Sequence, residues 1–557
     1  MSDAKDTGRE TGASVGRRTF LKLATAGAAA AAVQSSSAGE DRMSEKEDRG
    51  LRGPAAFAYG YNRDPYPLEP GPHLFIDWRY VMAGWTNYAV EGRGAELFPG
   101  QGRVPEKVTF DPHWVPTGVR LVAERAHKIG PVVKNDRDWE FMISGYASLH
   151  DLGGKFGLWY ETVPPGGNGD SNLICYAESK DGREWVKPEL GLVEFGGSKR
   201  NNIVIDGSRT PYGGLHGQSV FVDPAAPPGE RFKIIFMSYL SGGPEEAVLQ
   251  RLRQERPHSV DDFGQALRAG ILLGRSPDGL RWSFSDRILF SHVCDSQTCV
   301  YHDDFLDRWV LYTRTSALGR RCIGRAETSD IDDWPVPETI LWENDPSEPH
   351  IDLYCNSKSL YPGTRTMHLM FPTLYLRSTD SCSLALSSSP DGIVWTRVPG
   401  QVLECGPEGS WDAGCLFGGF GLTELPGDIV VLPYGGYRHP HKYPRYERLG
   451  QVGFAAWKKE RLSAIQADGF GEFVTIALTP PGDRLYLNFE AKMPGYIRVA
   501  VEGVENRGLR DCDVLTGDQL KQLVTWKGDP SLGVPRGTWL RLRIQMKSAK
   551  LYSFEFK

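Results

Sequence analysis

The chain has 557 residues, 40% of them hydrophobic and 24% charged, with a net charge of −6. It is too long for one hydrophobic core and ordinary for a globular protein, and it lacks the basic excess of a nucleic-acid binder; two or more domains and no nucleic-acid partner are expected. Its 15 Trp, 22 Tyr, 24 Phe, 64 Gly and 38 Pro point to an all-β fold of short strands joined by tight turns.

The N-terminus reads as an address. Arg17 and Arg18 are followed by Thr-Phe-Leu-Lys22, an Ala-rich apolar stretch from Leu21 to Val33, and the small-residue pattern Ser36-Ser37-Ala38. This is the pattern of a twin-arginine signal peptide over residues 1–38, cleaved after Ala38, and it is too short to span a membrane. A periplasmic or secreted location by the twin-arginine route is expected, with no membrane span. Residues 39–72 read as a disordered leader.

A repeat occupies the middle of the chain. Ser179-Lys-Asp181-Gly182-Arg-Glu-Trp185 recurs as Ser276-Pro-Asp278-Gly279-Leu-Arg-Trp282 and as Ser389-Pro-Asp391-Gly392-Ile-Val-Trp395, with a degenerate copy from Ser329 to Trp334. Each copy follows an apolar run. Asp-Gly supplies a hairpin turn, because Gly tolerates positive φ and Asp hydrogen-bonds its own backbone. The Trp then opens the next strand and packs between sheets. One such hairpin per blade suits a β-propeller, whose blades take roughly 40–50 residues. The wide interval between Trp185 and Trp282 holds one blade plus a charged insertion from Glu245 to Arg268, with helical apolar spacing at Val248, Leu252 and Phe263.

Five blades follow, over residues 73–462. The first runs from about Trp139 to Trp185. The others open near Ser219, Thr298, Leu353 and Cys415, and the fifth closes with the run from Gly450 to Trp457. A sixth blade drawn from residues 73–140 is the alternative. Residues 463–557 show period-two alternation, as in Arg484-Leu-Tyr-Leu-Asn-Phe489 and Trp539-Leu-Arg-Leu-Arg-Ile544, and read as a β-sandwich. The nine cysteines (Cys175, Cys294, Cys299, Cys322, Cys355, Cys382, Cys405, Cys415 and Cys512) contain no Cys-x-x-Cys pair and read as small buried side chains.

Ser-x-Asp-Gly-x-x-Trp hairpins in a propeller with a β-sandwich behind it resemble glycoside hydrolases of the family 32 and family 43 type, and the hairpin resembles the sialidase Asp-box with one residue fewer. The segment from Cys175 to Leu192, Asn201-Asn-Ile-Val204 and His73-Leu-Phe-Ile-Asp77 carry the same likeness. The resemblance spans about residues 73–557 and implies a polysaccharide context. It does not transfer catalytic residues. The Asn-Asp-Pro-Asn of family 32 is absent, Asp223-Pro224 lacks the preceding Arg, and Glu404-Cys405 stands before blade five rather than on blade three.

The innermost strand of each blade lines the axis, so ionisable residues at those strand starts converge. Blade one offers Asp138 and Glu140, blade two His216 with Gln218, and blade three Asp295. Blade four offers Glu348, His350 and Asp352, and blade five Asp412. Glycoside cleavage needs two carboxyl groups, one protonated and one ionised. The pair is expected among Asp295, Asp352, Asp412 and Glu140, with Asp295 or Asp352 as proton donor. His216, Arg314 and His350 would hold hydroxyls or a sugar carboxylate. The Tyr, His and Arg side chains of the loop Tyr434-Gly-Gly-Tyr-Arg-His-Pro-His-Lys-Tyr443, Tyr434 and His439 among them, would cover the mouth as a sugar platform. Each of these acids has a plainer reading as a cap on a turn, and for Asp181, Asp278 and Asp391 the turn alone is explanation enough. No cofactor or metal is expected beyond a structural calcium at the axis, and the protein is expected to act as a monomer. The expected function is an exported glycoside hydrolase, with furanosides among its candidate substrates; the alternative is a non-catalytic carbohydrate-binding propeller. Because the blade-opening residues differ, they suit one asymmetric site better than a lectin's repeated ones.

Overall fold

The repeated segment folds the same way each time. In the three full copies the Ser hydroxyl accepts the Gly N–H at 2.8, 2.9 and 2.8 Å. The Asp carboxylate takes the next two backbone N–H groups, those of Arg183 and Glu184 in the first copy at 2.8 and 3.0 Å. The Trp indole N–H closes onto the Gly carbonyl at 3.1 Å in all three. Gly182, Gly279 and Gly392 have φ of +73°, +74° and +73°, which a side chain would resist. In the degenerate copy Thr328 and Asp330 play these parts, and Trp334 bonds the Ile331 carbonyl at 2.7 Å.

These hairpins join the third and fourth strands of successive antiparallel sheets. The computed structural model describes residues 65–83, 115–167, 172–240, 245–260, 269–343 and 349–557. The twin-arginine segment, the Ala38 cleavage site, most of the leader and Glu348 lie outside these residues. Five sheets form the blades of a propeller. Blade one is Met142–Asp151, Phe156–Val163, Leu173–Ser179 and Ile203–Asp206. Blade two is His216–Val222, Phe232–Tyr239 and Ala269–Ser276, with two short outer strands. Blade three is Cys299–Asp303, Arg308–Ala317, Arg320–Thr328 and Glu338–Leu341. Blade four breaks its first strand into Ile351–Leu353 and Lys358–Leu360 and continues to Thr396–Leu403. Blade five is Cys415–Gly418 with Thr423–Leu425, then Ile429–Tyr437 and Gln451–Lys458. The insertion in blade two is the helix Glu245–Glu255, whose Leu249 and Leu252 pack with Leu240, Val260 and Ile288.

Each full hairpin is wedged against the blade before it. A Cβ on Gly182 would meet Leu425 of blade five at 2.5 Å, one on Gly279 would meet Trp159 of blade one at 2.6 Å, and one on Gly392 would meet the Tyr312 hydroxyl of blade three at 2.7 Å. Trp159 and Tyr312 also donate to the Gly279 and Gly392 carbonyls, at 2.7 and 2.5 Å. The repeat is therefore a clamp between blades as well as a turn. At the axis, the amides of Gln218, Gln297 and Asn356 stitch neighbouring first strands to one another. Gln218 is thus structural.

The ring closes with residues from the other end of the chain. The outermost strand of blade five is His127–Val133, paired with Gln451–Lys458. Residues before it join the C-terminal sheet. Pro72–Leu74 pairs with the 15-residue strand Leu542–Phe556, Arg120–Ala123 pairs with Ser463–Val474, and Tyr66–Pro67 runs parallel to Leu478–Thr479. The described residues between 66 and 123 thus belong with the C-terminal strands. The expected propeller start at residue 73, the sixth-blade alternative and a leader disordered through 72 are corrected accordingly. The physical reason is that both sheets have edge strands whose free N–H and C=O groups need partners, and the N-terminal strands supply them. In the C-terminal region seven strands are joined in one hydrogen-bonded sheet through Leu542–Phe556, whose two halves have different neighbours. Eight of the nine cysteines are buried as free thiols.

Candidate functional site

A cavity of about 440 Å³ opens at one end of the axis, and all five blades reach its wall. Tyr146 comes from the first strand of blade one, where the pairing slips between Ile143 and Ala147. His216 is the first residue of blade two, and Asp295 stands just before blade three with φ of +22°, a conformation Asp tolerates better than most residues. Tyr354 follows the opening strand of blade four. Phe417 and Tyr437 belong to blade five, whose loop 438–450 adds His439, His441, Tyr443 and Arg445. Aromatic rings make much of this wall, and Tyr354 meets Phe417 edge-on at 5.2 Å.

Two of the cavity's lining residues, His216 and Asp295, belong to a chain of four charged groups. The His216 Nδ1 lies 2.8 Å from Glu161 Oε1, and its Nε2 lies 3.0 Å from Asp295 Oδ1. Arg314 Nη2 donates to Asp295 Oδ2 at 2.9 Å, and its guanidinium covers the Tyr354 ring at 5.1 Å. Glu161 is fully buried and also accepts from Asn172 Nδ2 at 2.8 Å and from the Gly217 N–H at 2.9 Å. Burial opposes charge on His216, but the two flanking carboxylates, Glu161 foremost, outweigh it and raise its pKa to about 10. Burial also works against the Asp295 carboxylate, yet the His216 hydrogen bond and the Arg314 charge hold it well below the usual carboxylate range. At neutral pH His216 is therefore an imidazolium and Asp295 a carboxylate. The Asp295 side chain is 42% exposed, and Asp295 is the one carboxylate among the described residues of the cavity wall.

Two neighbouring groups, Tyr354 and His441, stay neutral. Tyr354 is pushed up to about 12 by burial, and its hydroxyl lies 3.2 Å from His441 Nε2. Burial drops His441 to about 4; Asp380 opposes this, while Arg321 and Arg445 add to it. His439 pairs with Glu447 at 2.8 Å and stacks on Tyr443 at 4.2 Å.

Of the residues expected from sequence, Asp295, His216 and His439 lie on this wall, with Arg314 directly behind Asp295. The others do not meet there. Asp352 is fully buried and held by Arg321 at 2.8 Å and by two nitrogens of Arg377 at 3.0 and 2.9 Å. Asp412 ties Lys128 of the closing strand at 2.6 Å and accepts from Tyr434, whose ring is stacked on Trp411. Glu140 is consumed by Lys187, Tyr160 and the N–H groups of Asp136 and Arg137. These acids and Tyr434 are corrected to structural roles, because their polar atoms are already committed. Asp138 lies on the exposed surface, 3.7 Å from Arg448. His350 is outside the wall, its carbonyl capping the Arg377 N–H. Asp295 as proton donor is likewise corrected, since its partners keep it ionised. Among the described residues no group of three or more His, Cys, Asp or Glu is arranged to hold a metal ion.

Sequence reasoning missed Glu161, Asn172, Tyr146, Tyr354 and Arg445, while Tyr437 and His441 stand in the loop it expected at the mouth. One signal was available for Glu161: it is the only charged side chain in the wholly buried strand Phe156–Val163, and an acid in such a strand needs a dedicated partner.

No protein-family model matches the sequence, and no curated protein matches it. Several solved structures align with the chain at low identity. An N-acetylgalactosamine deacetylase from F. plautii aligns over 62% of this chain and 96% of its own, at 13% identity and a TM-score of 0.40. A thermostable family-43 glycoside hydrolase aligns over 56% and 88%, at 12% identity and 0.36. A family-32 β-fructofuranosidase from Bombyx mori aligns over 80% and 95%, at 10% identity and 0.37.

Proposed function

We propose that the protein is an exported glycan-cleaving hydrolase, periplasmic or secreted, that binds a sugar in the cavity at the end of the propeller axis. The observation that carries this reading is Asp295: a carboxylate kept ionised by His216 and Arg314, facing an aromatic-lined cavity of about 440 Å³. Such a volume lies within the roughly 300–1,000 Å³ of small-molecule sites. Tyrosine faces cover the apolar side of a sugar ring while their hydroxyls meet its polar edge.

Breaking a glycosidic bond requires a group that relieves positive charge at the sugar carbon or activates water, and a second that protonates the leaving oxygen. Asp295 takes the first role as base or nucleophile. The second falls to Tyr354, a neutral phenol whose hydroxyl touches His441 Nε2. His216 keeps Asp295 ionised, and Glu161 keeps His216 charged.

The test is reducing-sugar release from a panel of polysaccharides and from aryl and alkyl furanosides and pyranosides. Asp295→Asn is expected to lose at least about 100-fold in kcat, in line with a positioned acid–base group. Tyr354→Phe is expected to slow alkyl glycosides far more than nitrophenyl glycosides, whose leaving group needs no proton. Full activity of Asp295→Asn overturns the assignment. A second reading, a non-catalytic sugar-binding propeller, is favoured by the single carboxylate on the wall, and sugar binding with no release from any substrate would establish it.

A further inference from the structure

The charges around the cavity do not balance, and the imbalance has a direction. Glu161, His216, Asp295 and Arg314 sum to zero and bond one another in a row, with Arg314 Nη1 left buried and without a partner among the described residues. His441 is held neutral by burial, and His439 is hydrogen-bonded to Glu447. That leaves Arg445. Its guanidinium lines the cavity and lowers the His441 pKa by its charge, as it does that of the neighbouring Tyr437. It is exposed, and it has no ion pair or hydrogen bond among the described residues. Its loop also carries Arg438 and Lys442, although the whole chain has a net charge of −6. Arg438 and Lys442 do not line the cavity, and other polar groups of the loop are engaged. Arg448 reaches Asp138 and the Asn135 and Arg137 carbonyls, and Asp380 from blade four takes the Tyr375 hydroxyl and the Lys442 N–H.

On the opposite, blade-one side, Asn172 is fully buried with its Nδ2 turned to Glu161 and His216, while its Oδ1 has no partner among the described residues. Asn172 also lines the cavity. The wall thus presents an unmatched acceptor at Asn172 and an unmatched cation at Arg445.

We infer that the sugar this cavity takes is anionic, with Arg445 pairing its carboxylate or sulfate and the Asn172 carbonyl accepting one of its hydroxyls. This rests on the reading of the cavity as a sugar site. It also relocates the anion-recognising role that the sequence assigned to His216, Arg314 and His350: the charges of His216 and Arg314 are answered by Glu161 and Asp295. A guanidinium offers a planar pair of donors that fits either anionic group.

The experiment measures binding to the full chain by calorimetry at low and moderate salt, using three probes of one skeleton: methyl galactoside, methyl galacturonide and a sulfated methyl galactoside. At least one anionic probe is expected to bind roughly 10-fold or more tighter than the neutral one, with the margin shrinking as salt rises. The carboxylated and sulfated arms decide which group is preferred. Arg445→Gln is expected to bring the anionic probe down to the affinity of the neutral one, Arg445→Lys to restore part of the margin, and Arg438→Gln, on the same loop but off the wall, to leave it in place. Equal binding of neutral and anionic probes, or a margin that survives Arg445→Gln, overturns the anionic assignment while the sugar reading stands. If none of the three probes binds, and neutral and acidic polysaccharides also give neither binding nor release, both readings fall.

Discussion

Replacing Glu161 by Gln removes the charge beside His216 and keeps the side-chain size. Glu161 accepts three hydrogen bonds in a site without water access: from Asn172, His216 and the Gly217 N–H. Glutamine offers one carbonyl oxygen, and its NH2 must face one of those donors. Asn172 can relieve that clash by turning its amide over, since its Oδ1 is free. The lost charge has no such remedy. His216 stands at about 10 against an ordinary 6.5, and that difference of about 3.5 units corresponds to roughly 5 kcal/mol as an upper bound on the net effect of its partners after burial is opposed. Glu161 is the first of those partners, so the variant is expected to lose about 3 kcal/mol of stability near neutral pH. The sign of the pH dependence follows from the raised pKa. His216 contributes its full stability below its unfolded pKa near 6.5 and loses it as pH rises through about 10. The gap between wild type and variant is therefore widest at about pH 6 and closes near about pH 10. Urea unfolding at these pH values measures the gap. Carbon NMR of labelled histidine, with His216 assigned from a His216→Gln sample, measures the pKa directly. His216 is expected to stay charged through the neutral range in the wild type and to titrate within it in the variant. A wild-type His216 that titrates at its ordinary value, or a variant as stable as the wild type near pH 6, would refute the reasoning.

Other outcomes follow from the same contacts. Asp352→Asn and Asp412→Asn are each expected to cost about 2–4 kcal/mol, because they break buried ion pairs, yet to leave sugar release per folded molecule unchanged; lost activity with an unshifted unfolding midpoint would return them to the site. Gly279→Ala combines a positive φ with a Cβ 2.6 Å from Trp159, and about 2–4 kcal/mol of destabilisation is expected by chemical unfolding. Gly153→Ala, with φ of +73° and nothing within 4 Å, should cost only about 1 kcal/mol; equal losses at the two sites would show that the clamp between blades contributes nothing. Asp295, whose pKa is depressed, gives stability that is present above its unfolded pKa near 4 and lost as pH falls through its folded value, so Asp295→Asn should narrow its stability deficit only under strongly acidic conditions, read by thermal unfolding across the acid range.

The blades were legible because Asp-Gly-x-x-Trp states its own turn: every hydrogen bond that shapes the hairpin lies within the segment. The site was legible only in part. His216 and Asp295 stand at blade openings as expected, but so do Glu140, Asp352 and Asp412, and nothing local separates the two sets. Their difference lies in distant partners: Lys187 is 47 residues from Glu140, and Lys128 is 284 residues from Asp412. Only the fold brings such pairs together. Glu161 was concealed by the apolar run around it, and Arg445 by a loop with no periodicity to read. The N-terminal strands were misplaced for the same reason: Val133 pairs with Val452, and Leu74 with Ser553.

Those last pairings bear on how the molecule is assembled. The strands that complete blade five and the C-terminal sheet are made first on the ribosome, and their partners are made last. Blades one to four can form in order as they emerge. The ring cannot shut, and the second sheet cannot fill its edges, until the final strand Leu542–Phe556 and the stretch Gln451–Lys458 are free to meet the waiting N-terminal arm. Closure over such sequence separations is slow and comes late. A chain cut before Gln451 would leave an open ring and an unpaired N-terminal arm.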